Sequence, residues 1–372
     1  MIPLSLYIHS PWCIRKCPYC DFNSHQAPDE LPEQAYVDAV LRDFDADLPL
    51  VQATSIHSVF IGGGTPSLMS GGAVQSLLDG LRARLPWAAG AEVTLEANPG
   101  ASEANRFKAY AAAGINRLSL GVQSFDDQHL QRLGRVHGRQ DALAAFAMAR
   151  EAGIQRINID LMHGLSEQTI KGALADLQQA IDLGPEHISW YQLTIEQNTA
   201  FYSQPPVLPD ETVLWDIQQQ GQALLAAAGY QQYEVSAYAK VGEMSRHNLN
   251  YWQFGDYVGV GPGAHGKLTQ PGGDIVRTRK HRMPDRYLAA IIHRVESTPV
   301  VASELVFEFM LNALRLRDGC DWTLFEAHTG MDRASIAPLW ADLVKKEWVL
   351  PDRVATTPVG YQYLNRVVEA FL

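Results

Sequence analysis

Short apolar runs alternate with longer amphipathic stretches along the first half of the chain. Six runs have the length of buried strands, and the stretches between them repeat apolar residues at helical spacing, several ending at a glycine suited to a helix C-cap. This alternation is typical of βα units on a parallel sheet. The predicted strands are LSLYIH (4–9), SVFIGG (58–63), EVTLEA (92–97), RLSLGV (117–122), RINIDL (156–161) and HISWYQL (187–193).

The second half of the chain follows a different pattern. A proline-led segment, PPVLPD, opens another long helix, and YQQYEVSAYA follows as a predicted strand. The last part holds two helical stretches, a strand pair and a final helix, an order that predicts an α+β domain of winged-helix type. We therefore expect a partial barrel over 1–200, a connecting α/β segment over 201–296 and a C-terminal domain over 297–372.

Composition limits the classes of function. The chain of 372 residues is 47% apolar and 19% charged, so it can bury a full core and disorder is not expected. Its net charge of −11 argues against a nucleic-acid partner, because binding phosphates requires a basic face. No apolar run reaches the length of a membrane span and no targeting segment is evident, which makes the cytoplasm the expected compartment.

One basic cluster is an exception to the scattered positive charge. It follows the turn sequence QPGGD, and we interpret it first as a solvated hairpin arm. A docking site for a propionate or phosphate is the alternative. The cluster consists of Arg277, Arg279, Lys280, His281 and Arg282.

Three cysteines follow the first predicted strand in the run YIHSPWCIRKCPYCDF. Cys13, Cys17 and Cys20 have the spacing C-x3-C-x2-C, which can bind three irons of a four-iron cluster and leave the fourth iron open to a ligand. Two alternatives remain on the residues alone. Zinc could bind the three thiolates together with His25, and a disulfide could form, although three close cysteines are an odd number.

Each predicted strand ends in residues suited to binding a polar ligand. In a barrel of parallel strands the carboxyl ends form one edge, where active sites are built. Each residue has an ordinary structural explanation when taken singly, but together they predict a pocket for a polar zwitterionic ligand beside the cluster. The residues are Gly62, Gly63, Gly64, Thr65 and Pro66 after the second strand, and Glu96, Gln123, Asp160, Gln192 and Thr194 at the later strand ends.

The cysteine loop, with GGGTP after the second strand, resembles the radical S-adenosylmethionine (SAM) superfamily. The resemblance implies an incomplete (β/α)6 barrel of TIM type with a 4Fe-4S cluster, whose open iron chelates SAM and which on reduction releases a 5'-deoxyadenosyl radical. Further segments resemble the branch that contains oxygen-independent coproporphyrinogen dehydrogenase and its haem-chaperone relative. These segments are EANPG, GVQSF, LGRVHG, NIDLMHGL and RHNLNYW, and the similarity extends over essentially the full chain.

The resemblance also implies roles for individual residues. Cys13, Cys17 and Cys20 would bind the cluster. Glu96 and Asp160 would face the SAM ribose or sulfonium, and an arginine would pair with the SAM carboxylate. The positions that match the SAM pocket of this branch are Tyr7, Tyr19, Gly63, Gly64, Thr65, Glu96, Gln123, Arg135 and Asp160.

Two differences separate the chain from the dehydrogenase pattern. Phe22 stands where that pattern has a further cysteine, and the chain starts at the first strand, without the extension expected to hold substrate and a second SAM. On residues alone, His247 is best explained as a packed core histidine. Its motif makes it the favoured haem ligand, with His265 as the alternative. The H-N-x-x-Y-W motif of the chaperone subfamily is matched by His247, Asn248, Tyr251 and Trp252.

We therefore interpret the chain as a haem chaperone that holds a 4Fe-4S cluster and SAM, binds haem and passes it to acceptor proteins. Respiratory haemoproteins are the expected acceptors. The alternative is an oxygen-independent coproporphyrinogen III oxidase of the same fold, and the third interpretation is a radical enzyme with an unrelated small substrate. The sequence leaves open whether SAM cleavage drives haem transfer, and it does not predict an oligomeric state.

Overall fold

A sheet of twelve strands forms the centre of the computed structural model, which describes residues 2–100 and 106–372. Six strands are parallel neighbours in this sheet, in the order in which they occur along the chain. They coincide with the six predicted strands, and the predicted incomplete α/β barrel is confirmed. The six are β1 (Leu4–Ser10), β2 (Ile56–Gly63), β3 (Trp87–Ala97), β4 (Arg117–Gln123), β5 (Arg156–His163) and β6 (His187–Gln192). Two short strands between the first and second of them, Trp12–Cys13 and His25–Gln26, pair with each other outside the sheet.

Amphipathic helices connect these strands and cover the sheet. In the helix Gly71–Arg82, the hydroxyl of Ser70 accepts the N–H of Ala73 as an N-cap, and apolar side chains such as Val74 and Leu78 are buried at helical spacing. These helix residues pack with the apolar side chains of the strands in one core. The connecting helices are Glu33–Asp47, Gly71–Arg82, Phe107–Ala113, Asp127–Arg132, Arg139–Glu151 and Ile170–Leu183.

Strands from the connecting segment extend the sheet at both edges. The segment YQQYEVSAYA, predicted as one strand, is a hairpin because its residues Val235 and Ser236 form a turn between β7 (Gln231–Glu234) and β8 (Ala237–Ala239), which lies beside β6. At the other edge, parallel to β1, lies β9 (Asp256–Val260). Antiparallel strands follow it as β10 (His265–Thr269), β11 (Ile275–Lys280) and β12 (Arg294–Pro299).

Four helices belong to this connecting part of the chain. None of the helices in the described ranges is both long and apolar enough to cross a membrane. We refer to the helix that carries H-N-x-x-Y-W as the motif helix, Arg246–Trp252. The others are Ala200–Ser203, Glu211–Ala227 and Pro284–Ala289.

The C-terminal part has a second apolar core. Phe254 and Ile275 from the connecting segment enter this core, where Phe254 packs edge-on against Phe309 with ring centroids 5.6 Å apart. The predicted strand pair is reduced to isolated antiparallel bridges, Val349 with Thr356 and Cys320 with Val354. The division of the chain at residues 200 and 296 stays a prediction. The helices here are Ala302–Ala313, Trp322–Thr329, Ala337–Lys345, Pro358–Gln362 and Leu364–Glu369.

The basic hairpin is less solvated than its sequence indicated. Lys280 is completely buried, and its ammonium group contacts Asp43 and lies 2.6 Å from a carboxylate oxygen of Asp47. The hydroxyl of Tyr287 donates to Asp43 at 2.7 Å. Sequence patterning could not reveal this, because the acidic partners lie more than 200 positions earlier in the chain.

Glu92 on β3 holds the motif helix against the barrel. Its carboxylate is buried and lies 3.2 Å from the guanidinium of Arg117 and 3.1 Å from that of Arg156. It also accepts the backbone N–H groups of Arg246 at 2.9 Å and His247 at 3.3 Å. A carboxylate removed from water needs such partners to keep its charge, so Glu92 joins three strands to the first turn of the motif helix.

Replacing Glu92 with Ala should lower the free energy of unfolding by about 3–5 kcal/mol, because Arg117 then stays buried without a counter-charge. The midpoint of urea denaturation measures this loss. Asp45→Ala is the control, since it removes only the surface pair with Arg84, which we expect to cost less than about 1 kcal/mol. Similar small losses in both variants would contradict the role of Glu92.

Candidate functional site

A cavity of about 410 Å³ lies at the carboxyl ends of the parallel strands. Its volume is in the range of about 300–1,000 Å³ that is usual for small-ligand sites. The structure brings all the predicted cluster residues and every predicted SAM residue except Tyr7 to this cavity. They are Cys13, Cys17, Cys20, Tyr19, Gly63, Gly64, Thr65, Glu96, Gln123, Arg135 and Asp160.

The three cysteines are half-buried free thiols along the cavity. No disulfide joins them. The hydroxyl of Thr65 donates to the sulfur of Cys13 at 3.4 Å, and Arg135 donates to that of Cys17 at 3.6 Å. Within residues 2–100 and 106–372, no three His, Cys, Asp or Glu side chains converge on a single point as ligands of one metal ion. The spread of the three thiols suits a four-iron cluster, because each thiolate would bind a separate iron.

Two glycines let the end of β2 pack directly beneath the cysteine loop. Gly63 has a φ of +111°, and a Cβ atom there would lie 2.5 Å from the ring of His9. A Cβ atom on Gly64 would lie 2.6 Å from the carbonyl oxygen of Trp12. The N–H of Thr65 donates to that same carbonyl at 2.7 Å. The glycines therefore position the cysteine loop, in addition to the close ligand approach that their sequence predicts.

Two partly buried carboxyl groups give the cavity its acidic character. Glu96 accepts the N–H of Gly63 at 3.0 Å, and burial together with the nearby charge of Asp160 raises the pKa of Glu96 to about 7. Burial also raises the pKa of Asp160, opposed by hydrogen bonds from Ser119 at 2.9 Å and Asn158 at 2.7 Å. Two such groups in one cavity favour a ligand that brings positive charge or hydrogen-bond donors.

Arg135 is oriented by residues that the sequence did not assign to the site. It donates to the side-chain oxygen of Asn98 at 2.5 Å and to the carbonyl of Gly121 at 2.7 Å. Asn98 in turn donates to the hydroxyl of Thr65 at 3.1 Å. These bonds fix the guanidinium beside Cys17. Its positive charge there would offset the negative charge of a thiolate-bound cluster.

Period-two alternation along the strands could have found further lining residues. Side chains two positions apart on a strand share a face, so Ser119 lies on the same face as Gly121 and Gln123, and Asn158 on the same face as Asp160. Ser119 lines the cavity, and Asn158 holds Asp160 from behind. A prediction limited to the strand ends therefore missed Ser119 and Asn158, which lie one layer deeper in the barrel.

The motif helix does not bring its histidine to this cavity. The His247 ring is buried, stacks on Phe60 at a centroid distance of 4.9 Å and lies 6.2 Å from the ring of Tyr7. Burial lowers the pKa of His247 to about 3. The guanidinium of Arg315 lies 4.4 Å above the ring of Trp252. The role of His247 as a haem ligand stays a prediction, with its imidazole enclosed in this conformation.

The other histidine considered as a haem ligand has a different environment. His265 is exposed at the start of β10, opposite Arg279 on β11. It lines an adjoining groove together with Tyr7, the one predicted SAM residue outside the cavity, and Tyr251 of the motif helix. The structure thus separates the predicted residues into two neighbouring sites.

Comparison with known proteins gives consistent matches. The family model of the Radical SAM superfamily matches residues 7–177. The chain is 52% identical over 373 residues to "Heme chaperone HemW" of Escherichia coli, and 48% identical over 377 residues to that of Haemophilus influenzae, covering 100% of this chain and 98% of each relative. The solved structure of E. coli coproporphyrinogen III oxidase (HemN) has a similar fold, with a TM-score of 0.83, 23% identity, and 100% of this chain and 90% of that chain covered.

Anaerobic reconstitution with iron and sulfide should load about four of each per chain, since three thiols and an open position suit a four-iron cluster. Replacing Cys13, Cys17 or Cys20 with Ala should abolish this uptake. Cys320→Ala is the matched control, because that thiol is buried in the C-terminal core. Iron and sulfide analysis and visible absorption measure the result, and a protein that took up zinc but no iron and sulfide would contradict it.

Proposed function

Because this chain belongs to the HemW family of radical SAM proteins, we propose that it is a haem chaperone, which binds haem and delivers it to acceptor proteins. The observation that carries this proposal is the 52% identity to a heme chaperone over the full chain. The likeness to coproporphyrinogen III oxidase lies below the identity at which activity can be inferred, and it supports the fold alone.

The residues of the cavity fit a 4Fe-4S cluster and SAM. Cys13, Cys17 and Cys20 would hold three irons, and the cluster when bound supplies an open iron that chelates the amine and carboxylate of SAM. Glu96 and Asp160 would accept hydrogen bonds from the ribose and attract the sulfonium. Arg135, already oriented by Asn98, would offset the negative charge of the cluster and SAM carboxylate.

The finer parts of the proposal concern partners, place and chain organisation. The acceptors are respiratory haemoproteins and the compartment is the cytoplasm. The partial barrel over 1–200 would carry cluster and SAM, and the segment over 201–296 would carry haem. The C-terminal domain over 297–372 would support that segment from behind, as the packing of Phe254 on Phe309 suggests.

SAM affinity should rise with pH through about 7, the pKa of Glu96, because the carboxyl is neutral below that pH and an attractive anion above it. Glu96→Gln should weaken binding by about 1–3 kcal/mol above that pH and flatten the profile. Anaerobic calorimetry of the cluster-loaded protein on either side of the pKa measures both effects.

The control for this experiment is Glu167→Gln, which changes an exposed carboxylate paired with Arg132 outside the cavity lining. Its SAM affinity should follow the wild-type profile. If Glu96→Gln kept the wild-type affinity and pH dependence, Glu96 would not face the ligand.

The reduced, SAM-loaded protein should not convert coproporphyrinogen to protoporphyrinogen. Phe22 occupies the position of a cysteine in the dehydrogenase pattern, and this residue is 58% exposed and lines the cavity, so a phenyl ring stands there in place of a thiol. Porphyrin fluorescence after oxidation of the products measures conversion, with a genuine coproporphyrinogen oxidase as the positive control. Turnover above about 1 per second, an ordinary enzymatic rate, would overturn the chaperone assignment.

A further inference from the structure

A groove of about 600 Å³ adjoins the predicted SAM cavity. Phe22, Gly63 and Glu96 line both spaces, so the groove lies directly beside the cluster loop. Its volume is again in the range of about 300–1,000 Å³ for small-ligand sites. The groove is also lined by Tyr7, Tyr251, His265, Arg279 and Arg282.

The groove carries positive charge and an accessible imidazole. His265 is exposed, and partial burial of its ring together with the charge of Arg279 lowers its pKa, which favours the neutral, metal-binding form of the imidazole. Arg279 pairs with Glu296 in an exposed ion pair at 2.7 Å. Arg282 is exposed and, within the described ranges, forms no salt bridge, so its guanidinium is available to an anion.

Aromatic rings also line the groove. Tyr251 stacks on Tyr257 with ring centroids 4.3 Å apart, which holds its ring in place. Tyr7 lies beside it, and Phe22 is a largely exposed phenyl ring at the rim. A lining that combines aromatic rings with two guanidinium groups matches a flat apolar ligand that carries carboxylates.

We infer that this groove binds the porphyrin cargo, with the His265 imidazole on the iron and Arg279 and Arg282 at the propionates. The inference rests on the proposed function and assigns the place where haem is carried. Phe22 and Tyr251 then cover apolar surface of the macrocycle. The open rim suits a ligand that must leave again for an acceptor.

The buried histidine of the motif has a supporting role in this arrangement. His247 lies 6.0 Å from the ring of Tyr251, one turn further along the motif helix, and stacks on Phe60 behind the groove wall. Glu92 fixes the first turn of the same helix. His247 is therefore a positioning residue for Tyr251, while the exposed His265 contacts the iron.

The groove rim is tied to the cysteine loop through one amide. The side-chain nitrogen of Asn23 donates to the carbonyls of Pro262 and Arg282, both at 2.9 Å. Gly263, with a φ of +80°, would place a Cβ atom 2.4 Å from the same amide, so the rim can pack there only as glycine. This contact holds the segment before His265 and the segment containing Arg282 against the loop.

Anaerobic titration of the full cluster-loaded chain with ferric haem tests the inference, using Soret absorption for ligation and for Kd. His265→Ala should shift the Soret band, because the iron loses its imidazole ligand, and raise Kd about tenfold or more, or about 1.4 kcal/mol. Added imidazole should restore the band if the variant is folded. His57→Ala, an exposed histidine at the start of β2, is the matched control and should bind as wild type.

A second arm tests the propionate contacts. The double variant Arg279→Ala/Arg282→Ala should lose affinity for haem but not for haem dimethyl ester, in which both carboxylates are blocked. An equal loss of affinity for haem and for its dimethyl ester would show that the arginines do not contact the propionates.

Haem binding by the wild-type protein tests the proposed function, and the comparison of His247→Ala with His265→Ala tests the groove. If the wild-type protein binds haem and His247→Ala abolishes ligation while His265→Ala does not, the groove assignment is wrong and the chaperone function stands. If the wild-type protein binds no haem, the proposed function fails and this inference fails with it. Retention of the wild-type Soret band and Kd in His265→Ala also overturns the assignment.

Discussion

The buried charge of Glu92 determines how the barrel and the groove are related. A carboxylate on a central strand, with no water around it, must gather donors, and two of these are N–H groups at the start of the motif helix. These contacts fix the first turn of the helix against β3, β4 and β5. Its position puts His247 inside the protein and Tyr251 on the groove wall. The different environments of these two motif residues therefore follow from the need of Glu92 for hydrogen-bond donors.

The parallel strands could be predicted because each is a short apolar run between helical stretches, a signal contained within a few residues. The hairpin at 231–239 was missed because its two-residue turn, Val235 and Ser236, contains neither Gly nor Asn, the residues that usually mark such a turn. The C-terminal strand pair was overestimated, since only isolated bridges form around Val354. Burial of Lys280 depends on Asp43 and Asp47, and no local pattern carries a contact between residues so far apart.

The residues around the cavity were predictable for a similar reason. A cysteine loop and the ends of parallel strands must meet at one edge, so their sequence positions give their spatial positions. The residues below that edge, such as Ser119 and Asn158, follow from strand alternation, which the prediction did not use. The histidine could not be placed in this way. A motif gives the order of its residues, but whether His247 faces a ligand or the core depends on Glu92 and Phe60 from other strands.

Phe254 makes the C-terminal core depend on the segment that precedes it. This ring comes from the segment after the motif helix, yet it lies in the second core against Phe309, with the ammonium of Lys267 4.4 Å from its other side. A fragment that stopped at residue 296 would expose Phe254 and Ile275 as an apolar patch prone to aggregation. The C-terminal part therefore cannot be removed without exposing this part of the core. Folding of the C-terminal part is therefore coupled to folding of the segment whose aromatic ring it encloses.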